Sequence, residues 1–81
     1  MIPTIRSLIT SAEAAFGLEE GDITSSHRGG HITQARDWVC YEARQSGKSQ
    51  MQIARVLGIL PGSVWFCVQR EEKRRAAHVE A

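Results

Sequence analysis

Gln69 and Arg28 are the side chains of this sequence whose chemistry most suggests nucleic-acid recognition. A glutamine amide carries a donor and an acceptor that can pair with N6 and N7 of adenine in the major groove. Arg28 is followed by Gly29 and Gly30, so it forms a flexible cation suited to a narrow minor groove. A mobile, solvated loop is the alternative interpretation of the Arg28 segment. Either contact requires a scaffold that places the side chain on a DNA-facing surface.

Residues 50–69, QMQIARVLGILPGSVWFCVQ, have the spacing of a helix-turn-helix. Ala54 is the small residue that two steeply crossing helices need, and Gly58 is a turn residue that tolerates positive φ. Val64 anchors the second helix, whose unpaired first amides can receive a phosphate. The register turns Pro61, Gly62, Trp65, Phe66 and Gln69 outward and directs Val64 and Cys67 to the core.

Trp65 and Phe66 have two interpretations. Either ring can contact a thymine methyl group in the major groove. Exposed aromatic pairs are rare on monomers, so we expect at least one of the two in the core. The other would then cover the partly exposed edge of the first helix.

The cysteines and histidines do not form a predicted metal site. Cys40 and Cys67 both fall within predicted helices, and we expect buried thiols there rather than a disulfide or metal ligands. His27, His31 and His78 do not share a helical face, and no carboxylate lies at ligand spacing. No nucleophile–base pair and no enzymatic phosphate-binding glycine loop is visible. We therefore expect no cofactor, no small-molecule substrate and no enzymatic activity.

Charge is unevenly distributed along the chain. The net charge is only +1, but residues 1–25 carry −3 while residues 26–75 carry nine bases and four acids, a net charge of +5. The positive charge is thus concentrated in the segment that contains the helix-turn-helix spacing, as a nucleic-acid footprint requires. An unevenly charged solvated surface is the alternative.

The pattern of apolar residues predicts an all-α domain. They recur at helical spacing over Thr4–Phe16, where Gly17 ends the helix, and over Thr33–Gln45. The intervening residues 24–31 are polar and glycine-rich, which predicts a loop. Two further helices are expected to form the helix-turn-helix.

Local signals define the start of each of these last two helices. Ser49 and Gln52 form a capping-box pattern at the start of the third helix. Pro61 suits the first turn of the fourth helix, because its missing N–H costs nothing there. We expect one domain over residues 1–75 and a disordered tail over residues 76–81.

Nothing in the sequence predicts a membrane or secreted protein. No run of eighteen apolar residues exists, and the start, MIPTIRSL, lacks the pattern of a signal peptide. We expect a cytoplasmic protein.

Most of the chain resembles the C-terminal DNA-binding domain of the bacterial replication initiator DnaA, which contains a Trp-repressor-like helix-turn-helix. The similar segments are SAEAAFGLEEGDIT, SSHRGGHITQARDWVCYEAR and SQMQIARVLG, continuing to Ser63 and Val64. In the second segment the family has a serine, a basic loop, an isoleucine, and an arginine-containing helix with a tyrosine and a terminal arginine. The matching residues here, without a gap, are Ser25, Arg28, Ile32, Arg36, Tyr41 and Arg44.

The resemblance implies specific DNA contacts. Arg28 corresponds to an arginine that enters the minor groove, and Arg36 to one that binds the DNA backbone. Lys48, Ser49 and Gln50 correspond to a phosphate-binding helix start, and Ser63 to a threonine of the recognition helix. The family has Asp-His-Thr-Thr where this chain has Leu60-Pro61-Gly62-Ser63. We therefore expect this chain to recognise a DNA sequence different from the one that the initiator binds. These 81 residues contain no segment similar to the ATPase module of that family, so we do not expect initiator activity from this chain.

Two functions of different class follow. The first is sequence-specific binding of double-stranded DNA, as a transcriptional regulator of bacterial or phage type. The second is a protein-docking module on a replication or transcription complex, in which Trp65 and Phe66 form the docking patch. The predicted DNA contacts are Arg28, Arg36, Lys48, Ser49, Gln50, Pro61, Gly62, Ser63, Trp65, Phe66, Gln69 and Arg70.

Overall fold

A computed structural model describes residues 2–25 and 29–80, with side chains up to Ala77. It contains four helices, which are α1 (Ile5–Ala15), α2 (Gly30–Gln45), α3 (Gln50–Leu57) and α4 (Pro61–Glu80). The described residues form no strand, so the all-α prediction is confirmed. Arg28 lies outside the described residues.

The core forms where α2 packs against α1 and α4, and where α3 packs against α4. Apolar side chains from all four helices and from the α1–α2 connection fill it; the largest fully buried ones are Ile23, Val39, Cys40, Ile53, Leu57 and Val64. Cys40 and Cys67 are both buried free thiols, as predicted. A hydrogen bond with Cys67, together with burial, raises the pKa of the Cys40 thiol, which keeps that thiol protonated.

The ends of α1 follow the local sequence. The Thr4 hydroxyl oxygen accepts the Ser7 amide at 3.0 Å and caps the first turn. Gly17 takes a φ of +67°, and the Leu18 amide returns to the Glu13 carbonyl at 2.8 Å. The predicted end of the helix at Gly17 is therefore confirmed.

The start of α2 was predicted wrongly. The helix begins at Gly30 rather than Thr33, so Gly30 and His31 are helical and not part of the loop. Gly29 occupies the cap position with extended backbone, and its carbonyl accepts the Thr33 amide at 2.9 Å. Glycine is tolerated at a helix cap, so Gly29 and Gly30 start α2 where the glycine-rich composition of the segment predicted a loop.

The connection between α3 and α4 has the predicted geometry. The Ser49 hydroxyl accepts the Gln52 amide at 3.1 Å, and the Gln52 side chain accepts the Ser49 amide at 2.9 Å, which completes the capping box. Gly58 ends α3 with a φ of +71°. Ala54 is 3% exposed and Val64 is fully buried, so both are core positions as expected. The chain then bends by 100° between α3 and α4.

α4 continues beyond Arg75 through Glu80, into the segment predicted as a disordered tail. The sequence there contains Ala76 and Ala77, which are strong helix formers. Among the described residues, no single helix is long and apolar enough to cross a membrane. α3 and α4 pass that test only as a bent pair.

Candidate nucleic-acid interface

The first half of α4 presents the outward face that the sequence predicted. Pro61, Gly62, Trp65 and Phe66 are exposed, whereas Gln69 is half-buried. Val64 and Cys67 occupy the inward positions. The helical period of about 100° per residue then forces the two residues after Val64 to the outside.

Both aromatic side chains of α4 lie on the surface. Trp65 is 50% exposed and Phe66 is 58% exposed, and their rings meet edge to face with centroids 5.1 Å apart. The expectation that at least one of them is core is therefore wrong. Val64 and Cys67 are buried at the inward positions of this part of α4, which places the two intervening rings on the outer side.

The start of α4 leaves little room for backbone recognition of a phosphate. Pro61 has no N–H, and the amides of Ser63 and Val64 donate to the Leu60 carbonyl at 2.9 and 3.4 Å. In the first turn this leaves the exposed Gly62 amide as the donor that a phosphate could use. The sequence suggested several free amides at this point, and the structure reduces the set to one.

Two grooves flank the outward face of α4. The first encloses about 380 Å³ and is lined by Thr33, Arg36, Ile59, Ser63, Phe66, Cys67 and Arg70. The second encloses about 290 Å³ and is lined by Arg44, Gln45, Gln50, Trp65, Val68, Gln69 and Glu72. The structure thus brings together seven predicted contacts, which are Arg36, Ser63, Phe66 and Arg70 on one side and Gln50, Trp65 and Gln69 on the other.

Arg36 combines a structural role with its position beside the first groove. Its Nε donates to the Ile23 carbonyl at 3.0 Å and its Nη2 to the Ser25 carbonyl at 3.2 Å. Ser25 is the last described residue before the segment that contains Arg28. Arg36 therefore fixes the base of the predicted DNA-binding loop and keeps a cation next to α4.

Arg70 is held by a carboxylate that the sequence did not identify as a partner. Its Nε and Nη2 donate to the two oxygens of Asp37, both at 3.0 Å, and Asp37 is fully buried. This pairing raises the pKa of the Arg70 guanidinium. Because Nε and Nη2 serve the fold, Nη1 is the remaining guanidinium nitrogen that Arg70 can offer to a phosphate.

The C-terminal arginines form a charge cluster between α2 and α4. Arg74 contacts Asp37 at 3.3 Å and Glu71 at 2.6 Å, and Arg75 contacts Glu71 and Glu42, both at 2.8 Å. Arg75 also stacks over the Tyr41 ring with its central carbon 4.0 Å from the ring centroid. With Arg70, these residues make three arginines paired with three acids, so the cluster is neutral. We call it the α2–α4 charge cluster.

The net charge of +5 in residues 26–75 therefore comes from residues outside this cluster. Residues 26–75 contain six further bases and one further acid, which together account for the whole +5. Those bases are Arg28, Arg36, Arg44, Lys48, Arg55 and Lys73. Arg36 and Arg44 line the two grooves beside α4.

Lys48 is not brought to the face of α4. It lines a separate groove with Arg6 and Arg55. The Ser49 hydroxyl oxygen accepts a hydrogen bond from the α3 backbone, which leaves its proton as the donor available to a ligand. Among the described residues, no group of three or more potential ligands could hold a metal ion.

Comparisons with protein-family models, with curated proteins and with solved structures find no significant match. The candidate site therefore depends on the geometry and charge of the chain itself.

Proposed function

We propose that this chain binds double-stranded DNA in a sequence-specific manner, with the first half of α4 in the major groove. The observation that carries this proposal is the exposed start of α4 between two grooves that each contain an arginine, Arg36 or Arg44. A recognition helix needs this arrangement, because side chains on the helix meet base edges while flanking cations meet the phosphates on either side.

The connection of α3 to α4 supports the same role. A bend of 100° across a turn of residues 58–60 falls within the range of helix-turn-helix units. In such a unit the first helix supports the second, which projects far enough to enter a groove about 12 Å wide. Buried Ala54 at the crossing and left-handed Gly58 in the turn provide the close packing that this geometry requires.

Each group on α4 has a distinct proposed role. Gln69 reads adenine through its amide, and Trp65 and Phe66 contact thymine methyl groups. The Gly62 amide and the free nitrogen of Arg70 bind phosphates. The loop containing Arg28, whose base Arg36 fixes, reaches the adjacent minor groove.

The resemblance to the C-terminal domain of DnaA favours this function and extends it. It suggests a bacterial or phage protein that acts in the cytoplasm and regulates transcription. The changed residues before Val64 suggest that its DNA site differs from that of the initiator.

A second candidate function is docking to a protein of a replication or transcription complex. The observation that favours it is the number of exposed apolar side chains at and after the α3–α4 turn, where Leu60 is 74% exposed and both Trp65 and Phe66 lie on the surface. Exposed apolar patches of this kind mark interaction sites.

In vitro selection from a random duplex library tests the proposal and separates it from the alternative. We expect an enriched sequence motif that the purified chain binds in a fluorescence anisotropy titration. A chain that enriches no motif and shows no measurable affinity for duplex DNA at low salt would refute DNA binding and favour docking.

A further inference from the structure

A third groove lies away from α4, between the start of α1 and the outer face of α3. It encloses about 460 Å³ and is lined by Thr4, Ile5, Arg6, Lys48, Gln52, Arg55 and Val56. Its lining contains three cations and no carboxylate. The α3 residues in it, at positions 52, 55 and 56, share one helical face by their i, i+3 and i+4 spacing. They line neither groove that flanks α4.

The three cations converge from separate parts of the chain. Arg6 lies in the first turn of α1, Lys48 precedes α3, and Arg55 lies in its last turn. Arg6 and Arg55 are exposed and Lys48 is half-buried. Within residues 2–25 and 29–77, every ion pair involves the α2–α4 charge cluster and none involves these three. The groove therefore holds like charges that an anion would neutralise.

The floor of the groove is apolar. Ile5 and Val56 form it; Ile5 is buried and Val56 is half-buried against the core. Gln52 uses its side-chain oxygen to accept the Ser49 amide, so its amide nitrogen can donate to a ligand. The groove thus offers cations, one amide donor and an apolar surface at the same place.

We propose that this groove binds an acidic segment of a partner protein that carries an apolar side chain between its carboxylates. The carboxylates would pair with Arg6, Lys48 and Arg55, the apolar side chain would cover Ile5 and Val56, and the Gln52 amide would donate to a peptide carbonyl. A DNA backbone matches the charge but presents nothing to the apolar floor. This inference does not depend on the proposed DNA binding, because the two surfaces share no lining residue.

The test uses the full chain and a fluorescein-labelled peptide of alternating glutamate and leucine residues. A peptide with glutamine in place of glutamate is the control ligand. Arg55→Gln removes one groove cation from an exposed helical position with little effect on helix propensity. Lys73→Gln makes the same charge change at an exposed position on α4 and is the control variant.

We expect saturable binding of the acidic peptide that Arg55→Gln weakens about five- to tenfold and the double variant R6Q/R55Q abolishes. Lys73→Gln should change the affinity less than twofold. Equal binding of the glutamine peptide, or equal losses with Arg55→Gln and Lys73→Gln, would overturn the proposal.

Two parallel measurements separate the other possible occupants. If sedimentation shows self-association of the chain that Arg55→Gln abolishes, the groove binds a second copy and the proposal is wrong. If Arg55→Gln lowers affinity for duplex DNA more than Lys73→Gln does, the groove belongs to a DNA surface and the proposal is again wrong. Absence of any duplex binding would leave the peptide result intact, so the two proposals fail separately.

Discussion

Replacing Asp37 and replacing its partner Arg70 should destabilise the domain to different extents. Asp37 is fully buried, whereas the side chains of Arg70 and Arg74 are 51% and 38% exposed. The desolvation cost of this pair is therefore concentrated on the carboxylate. A change of Asp37 leaves exposed guanidinium groups without a partner, whereas a change of Arg70 leaves a buried carboxylate without its main partner.

The expected magnitudes follow from that asymmetry. Arg70→Met removes two of the three guanidinium hydrogen bonds to Asp37 and leaves the 3.3 Å contact from Arg74 as its remaining guanidinium partner. A buried charge stripped of its main partner costs about 3–5 kcal/mol of folding free energy. Asp37→Asn keeps the side-chain shape, removes the buried charge, and leaves arginines that can turn towards water. Asp37→Asn loses charge-assisted hydrogen bonds, and we expect it to lower the free energy of unfolding by about 1–3 kcal/mol.

Urea unfolding followed by far-ultraviolet circular dichroism measures both changes. Lys73→Met, at an exposed position of the same helix, controls for the loss of a charge and for the introduction of methionine. Arg70→Met should lower the free energy of unfolding more than Asp37→Asn, with the control close to wild type. If Asp37→Asn is the more damaging change, the desolvation argument is wrong and the fold depends on the carboxylate itself.

Four shorter predictions address the scaffold and the DNA face. Ala54→Leu should overpack the helix crossing and cost about 1–3 kcal/mol, which thermal unfolding would report; an unchanged melting temperature would contradict the crossing. Gly58→Val should lower the free energy of unfolding by about 1–2 kcal/mol. The loss comes from left-handed backbone strain alone, because a Cβ at this position meets no atom within 4 Å. A calorimetric scan that shows no loss of stability would reject the turn geometry. Gln69→Ala should cost roughly 1–3 kcal/mol of binding free energy for the selected duplex and little for a scrambled duplex. Arg44→Ala should weaken binding of both duplexes equally. If Gln69→Ala also weakens binding of both duplexes equally, Gln69 does not read bases. The slope of log K against log salt should be about −4, at roughly −0.9 for each of four or five neutralised phosphates, and a flat response would favour protein docking.

Local signals explain why much of the scaffold could be predicted. The Thr4 cap, the Gly17 stop and the Ser49–Gln52 capping box each depend on residues within a few positions of one another. A left-handed Gly58 likewise follows from the residue type and its place after an apolar run. Interactions of this range are visible in a sequence, because the partners are adjacent in it.

The α2–α4 charge cluster could not be predicted for the opposite reason. Asp37 and Arg70 are 33 positions apart, and a carboxylate within a helix ordinarily indicates a solvated face. Only the packing of α2 against α4 shows that Asp37 is buried and that Arg70 donates hydrogen bonds to its carboxylate. The same long-range packing places Lys48 on a different surface from the seven predicted contacts that line the two grooves beside α4.

The cluster also makes the C-terminal part of α4 different in charge from its first half. From Arg70 onward α4 carries four of the ten lysines and arginines of the chain, and three of them, Arg70, Arg74 and Arg75, are paired with acids inside the fold. Those arginines therefore hold α4 against α2, and their charges are balanced by the acids of the cluster. The first half carries no acid, exposes two aromatic rings, and has Arg36 and Arg44 in the grooves on its two sides. A fixed, charge-balanced C-terminal part and a projecting first half suit the proposed recognition helix, because residues that read bases must be held rigidly while they remain outside the core.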